Sequence, residues 1–158
     1  MKRAITIALA LLLMVVAEAS AAEDLPADDP GWLFVVHGQV ISVTDGAIMM
    51  AAGTYGTAFT DRPERLVRLF DIEAFVSDAW SEKGDFRLLP PNASLVDLTG
   101  NSIAIVEVMN ASLDAGALSL AVVILDGALP VAGDVIALTI DVKKGPQGVD
   151  LDTNGQEF

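Results

Sequence analysis

His37 is the only histidine in a chain of 158 residues, and there is no cysteine. An imidazole can act as a base or a metal ligand, but without a thiol or a second histidine neither a Cys/His pair nor a common zinc set can be assembled. No serine lies in a GxSxG elbow, and no spacing of carboxylates marks two of them as facing one cleft. Hydrolase chemistry would have to be built on His37 and a neighbouring carboxylate. No phosphate-cradling glycine loop or basic aromatic stripe is present, so the sequence implies no cofactor. Near the C-terminus, Asp150, Asp152 and Asn154 alternate ahead of Gly155, like the opening of a calcium loop. The bidentate acid at the twelfth loop position would fall beyond Phe158, so the ligand set is incomplete and no metal site is assigned.

The segment "FTDRPERLVRLF", Phe59 to Phe70, carries Arg62, Arg65 and Arg68 in a chain of net charge -13. A spacing of three suits one face of a helical turn better than one face of a strand. Pro63 disfavours the α region at Arg62, which predicts a turn running into a short helical or irregular link. Guanidinium groups are planar bidentate donors. Two roles follow for them: a clamp on Asp61, Glu64, Asp71 or Glu73 that pins the next helix, or a site for a carboxylate or phosphate.

These residues need elements to position them. The chain opens with Lys2 and Arg3, an apolar run from Ile5 to Ala17, and the small-residue pattern Ala19-Ser20-Ala21, the grammar of a secretory leader over residues 1–22. The expected location is therefore the periplasm or the extracellular space, with no membrane attachment once the leader is removed. Removing Lys2, Arg3 and Glu18 with it leaves seven cations against twenty-one carboxylates, a balance of -14. Such a charge disfavours nucleic acid and anionic lipid, both of which need a basic footprint. With no cysteine there is no disulfide framework, so the fold must rest on apolar packing.

Residues 23–31 read as an acidic, proline-bearing lead-in. From Trp32 the pattern is that of strands. "WLFVVHGQVISV" is β-branched and aromatic, with a bulge expected at Gly38; Asp45-Gly46 predicts a type I′ hairpin into "AIMMAA". "ASLVDL", "SIAIVEVM", "ALSLAVVIL" and "DVIALTIDV" repeat this grammar, with turn signals every 8 to 12 residues or so. One helix is expected from Ile72 to Lys83, capped by Asp71, stapled by Phe70 and Phe75, and closed by Gly84. The expected architecture is an all-β, mainly antiparallel sandwich over residues 32–143 with one packed α-helix, then a polar acidic tail at 144–158.

"FTDRPERL", "DIEAFVSDAW" and "PPNASL", taken together, resemble a family of small exported bacterial proteins with no assigned activity, marked by FTDRPxR-like and DPPNA-like elements. The resemblance spans Trp32 to Val142 and matches at Asp61, Arg62, Pro63, Arg65, Pro91 and Asn92; Leu89-Pro90 stands where an acidic residue would precede the prolines. The sequence thus points to an exported soluble binding or interaction protein without catalytic machinery. Its candidate ligand residues are Asp61, Arg62, Arg65 and Asn92, and its partner is a small carboxylate or phosphate or another exported protein. The other classes are the His37 hydrolase and a structural or assembly module.

Overall fold

Strand β1 (Trp32–Thr44) follows from its alternation: Trp32, Phe34, Val36 and Val40 point inward and are buried, while His37 and Gln39 point out. The structure, a computed structural model, describes residues 31–60, 65–100 and 102–142. The leader, the lead-in up to position 30, the tail with Asp150, Asp152 and Asn154, and both Asp61 and Arg62 lie outside the described residues. The bulge in β1 is not at Gly38, where the inward parity continues. It falls at Ile41, between the pairs Val40–Met50 and Ser42–Met49. Gly38 instead sits where the neighbouring strand crosses close by, and a Cβ there would collide with the Ala51 carbonyl.

Strand β2 (Ala47–Ala52) returns antiparallel through Asp45-Gly46. Gly46 takes a φ of 80°, but Asp45 keeps a negative φ, so this turn is not type I′. Next come β3 (Tyr55–Thr60) and β4 (Val67–Asp71), the second of which stands where the arginine spacing led to the expectation of a short helical or irregular link. Arg68 is thus a strand residue, and Arg65 precedes that strand with a φ of 51°. Helix α1 (Ile72–Ala79) starts where expected: Asp71 accepts a hydrogen bond from the Ala74 N–H at 2.9 Å, and the rings of Phe70 and Phe75 lie 5.0 Å apart as the staple requires. It stops short of Lys83, with Trp80 as its C-cap, and Gly84 does not close it but is the N-cap of a second short helix, α2 (Asp85–Leu88). The chain ends in four strands, β5 (Asn92–Asp97), β6 (Ile103–Asp114), β7 (Ala117–Gly127) and β8 (Val135–Val142).

All pairings are antiparallel, in the order β2-β7-β6-β5-β8-β1-β3-β4, and β2 also pairs with β1. That last pairing joins β1, β2, β7, β6, β5 and β8 into a closed six-strand barrel, with β3 and β4 as an extension. The expected sandwich is therefore corrected to a barrel. The physical reason lies in the bulges: Ile41 in β1, Met109 in β6 and Leu125 in β7 are each an extra residue in a long strand. Each bends and twists its strand, so a single sheet curls until its ends meet. At Met109 the inward parity also switches, from Val108 to Ala111. Turn spacing is common to both architectures and cannot separate them.

Strand β1 is shared lengthwise on one side. Residues Gly38 to Thr44 pair with β2, and Trp32 to Val35 pair with β3. The extension therefore peels away from the barrel at one end, and α1 fills the gap. Phe34 is the keystone of that end: fully buried, its ring centroid is 4.6 Å from Phe75 and 5.2 Å from Phe70. Phe86 of α2 and Trp80 close the cluster edge-on at 4.9 Å.

Candidate functional site

Among the described residues the barrel interior is filled by apolar side chains. Beneath α1 a void of about 10 Å³, lined by apolar side chains including Val36, Ile72, Leu118 and Leu138, is at most the size of one water and offers it no polar partner. Outside, α1 and the bulged end of β6 border an open groove of about 360 Å³. Its polar lining is Glu73, Ser77 and Ser112, and Trp80 forms part of its wall. The buried Trp80 indole N–H has no hydrogen-bond partner among the described residues. With Glu73 as its one charged group, the groove suits neutral or cationic molecules rather than the carboxylate or phosphate expected from the sequence.

The sequence-derived site residues divide as follows. Asp61 and Arg62 lie outside the described residues. Arg65 is exposed at the approach to β4, and Asn92 is exposed at the start of β5. Asn92 lies in one row with Asp141, Leu33, Phe59 and Val67 across β5, β8, β1, β3 and β4. Four interstrand steps of about 4.8 Å put roughly 19 Å of sheet between Asn92 and the row position next to Arg65. The fold does not bring those two side by side. Among the described residues no ion pair holds Arg65 or Arg68. Asp71, a candidate clamp partner, spends an oxygen on the helix cap instead.

His37 is exposed on the outer barrel face opposite Ala137, and it lines neither hollow. The buried carboxylate is a different one. Asp97, 3 % exposed, closes the β5–β6 turn: Oδ1 accepts from the Thr99 N–H at 2.9 Å and Oδ2 from the Thr99 hydroxyl at 2.5 Å. Both oxygens serve the turn, which makes Asp97 a structural acid.

No family model, curated protein or solved structure matches this chain. Function must then be read from its own surface. The surface that stands out is the extension. On its outer face Tyr55, Val67 and Leu69 are 65 %, 71 % and 66 % exposed, and half-buried Leu33, Val35 and Phe59 continue that face toward the barrel. The side chain of Phe70, on the other face, is buried in the aromatic cluster, and Gly56 lets its ring lie close against β3.

The extension also has an open backbone edge. The Ile72 N–H donates to Thr54 C=O and the Thr60 N–H to Leu66 C=O, each at 3.0 Å. By antiparallel alternation, the backbone groups of Leu66, Arg68, Phe70 and Ile72 point toward β3, and those of Val67, Leu69 and Asp71 point away. No described strand pairs on that side. Sequence reasoning missed this surface because "YGTAFT" and "VRLFD" are short and the arginine spacing imitates a helix. The alternation of Val67 and Leu69 against Arg68 and Phe70 was the available signal.

Proposed function

We propose that this chain is an exported, soluble interaction protein without catalytic chemistry, and that it engages its partner through the β3–β4 extension. The observation that carries this reading is the coincidence, on β4, of a backbone edge that no described strand pairs with and exposed Val67 and Leu69 on an apolar face. Edges of this kind accept an added strand, with main-chain hydrogen bonds supplying affinity and alternate side chains supplying selectivity. The closed barrel supports the reading from the other side, since its filled interior leaves no room for a substrate. The leader pattern supports export, and the acidic balance argues against nucleic acid and anionic membrane as partners.

A photo-reactive amino acid at Leu69, with Ser42 on the barrel as reference, tests the proposal in the producing cells. Protein crosslinks are expected from position 69 and not from position 42. Equal yields from both positions, or none from 69, would sink the proposal.

A second reading keeps the arginine segment as a site for a small carboxylate or phosphate, with Asp61, Arg62, Arg65 and Asn92 as its residues. It is favoured by the exposure of Arg65 and the absence of an ion pair on it among the described residues. The expected result is that inorganic phosphate or short carboxylates raise the melting temperature, and that replacing Arg62 and Arg65 by Ala abolishes the rise. A lower melting temperature in that variant with no ligand response in the parent would leave the arginines purely structural.

A further inference from the structure

We infer that the partner on the β4 edge is a second copy of this chain, paired antiparallel about a two-fold axis through Leu69. This rests on the reading of β4 as the interaction edge, and it follows from which groups that edge presents. Among the described residues nothing pairs with the N–H and C=O of Val67 or Leu69. Asp71 offers its N–H alone, because as N-cap its C=O belongs to the first turn of α1. A two-fold axis at Leu69 sets Leu69 opposite its own copy, so each donates to and accepts from the other. It also sets Val67 opposite Asp71 of the other copy, where the Asp71 N–H meets the Val67 C=O. This register forms four main-chain hydrogen bonds symmetrically, leaves only the Val67 N–H of each copy to solvent, and keeps outer face with outer face, joining two apolar faces into one.

Neighbouring registers are worse. Moving the axis to Arg68 would pair Val67 with Leu69 of the other copy, but it sets the two Arg68 side chains directly opposite each other, where like charges repel. Moving it to Phe70 faces Val67 toward position 73, which is already helical.

Charge selects the same arrangement. Beyond the paired strands, position 65 of each copy runs alongside positions 71 and 73 of the other, which sets exposed Arg65 near Asp71 and Glu73. In a chain with nine cations and twenty-two carboxylates, the seam is a place where like-charge repulsion between copies is locally reversed. The concentration of arginines near β4, otherwise unexplained in so acidic a protein, has a use at this seam.

Sedimentation velocity of the full chain over a concentration series tests the inference. A monomer–dimer equilibrium is expected. Leu69→Pro removes only an outward N–H and leaves the β3 pairing intact, so the dimer should weaken at least about tenfold. Arg65→Glu should weaken it as well, and adding Glu73→Arg should restore most of the loss. If Leu69→Pro does not fold, the charge exchange decides alone. A chain that stays monomeric to roughly 1 mM overturns self-pairing. So does a dimer indifferent to both the proline and the charge exchange, or one dissolved by Val123→Lys on β7 instead. If the chain is monomeric while position 69 still crosslinks to another protein, the edge keeps its role and only the second copy is lost as its occupant.

Discussion

The barrel and the β3–β4 extension belong to one continuous antiparallel ladder, yet they treat their backbone edges in opposite ways. In the barrel, β2 reaches back to β1, so neither is left at an edge along the residues that pair. In the extension, β4 ends the ladder, and half of its backbone groups face outward. The difference originates in β1, whose first four residues pair with β3 and whose last seven run beside β2. One strand feeds a closed surface and an open one. Closure protects, whereas an open edge is a liability unless something is meant to occupy it.

The sharpest way to break this comparison is at Phe34, where barrel, extension and helix meet. Phe34→Ala removes a fully buried ring that touches both Phe70 and Phe75, and it should cost about 3–5 kcal/mol in urea denaturation. The extension and the barrel should then unfold in separate transitions when followed by Trp32 and Trp80 fluorescence. A single transition with little loss would mean that the two parts do not share this keystone.

Gly38→Ala probes the other half of β1. The added Cβ meets the Ala51 carbonyl, which is backbone and cannot swing aside, so a cost of about 1–3 kcal/mol is expected. Because Gly38 lies at the β1–β2 seam, the loss should appear in hydrogen exchange of β2 before that of β4. The opposite order would place the weak point in the extension.

How much of this division could be seen beforehand depends on residue patterns of different strength. The long strands were legible because inward residues such as Ile136, Leu138 and Ile140 alternate over eight positions, and α1 was legible through Asp71 and the Phe70–Phe75 staple. Closure was not, since it hangs on single extra residues, Ile41, Met109 and Leu125, which look like any other exposed apolar residue in a strand. Gly38 drew attention for the right reason, an anomaly in a strand, but the anomaly is close approach and not a bulge. The extension was hidden by length: five or six residues give too few alternations to outweigh the helical spacing of Arg62, Arg65 and Arg68. The candidate cluster joined Arg65 to Asn92 by motif, and only the strand order shows how much sheet separates them.

A smaller effect is expected at the far hairpin of the barrel. Ala115 and Gly116 both have positive φ, 46° and 80°, which is the type I′ turn between β6 and β7. Alanine is disfavoured there by its Cβ, so Ala115→Gly should stabilise the chain by about 0.5–1 kcal/mol despite the added freedom of the unfolded state. The gain should read out as a higher urea midpoint with an unchanged slope. It would show that the barrel tolerates local strain because its closed ladder enforces the turn.

The smallest effect on stability is expected where the consequence for function is largest. Leu69 is 66 % exposed and its side chain stands off the core, so Leu69→Lys should change the unfolding free energy by no more than about 0.5 kcal/mol. A lysine on the outer face of an edge strand is, however, among the devices by which natural sheets refuse further strands. The variant should therefore keep its melting behaviour while losing any association through β4, read by sedimentation velocity. The same change at Ile41, equally apolar and 49 % exposed but on the closed barrel, should leave both unaltered. If the two substitutions behave alike, exposure alone governs association and the open edge has no special part in it; if only Leu69→Lys matters, the edge itself is the interface.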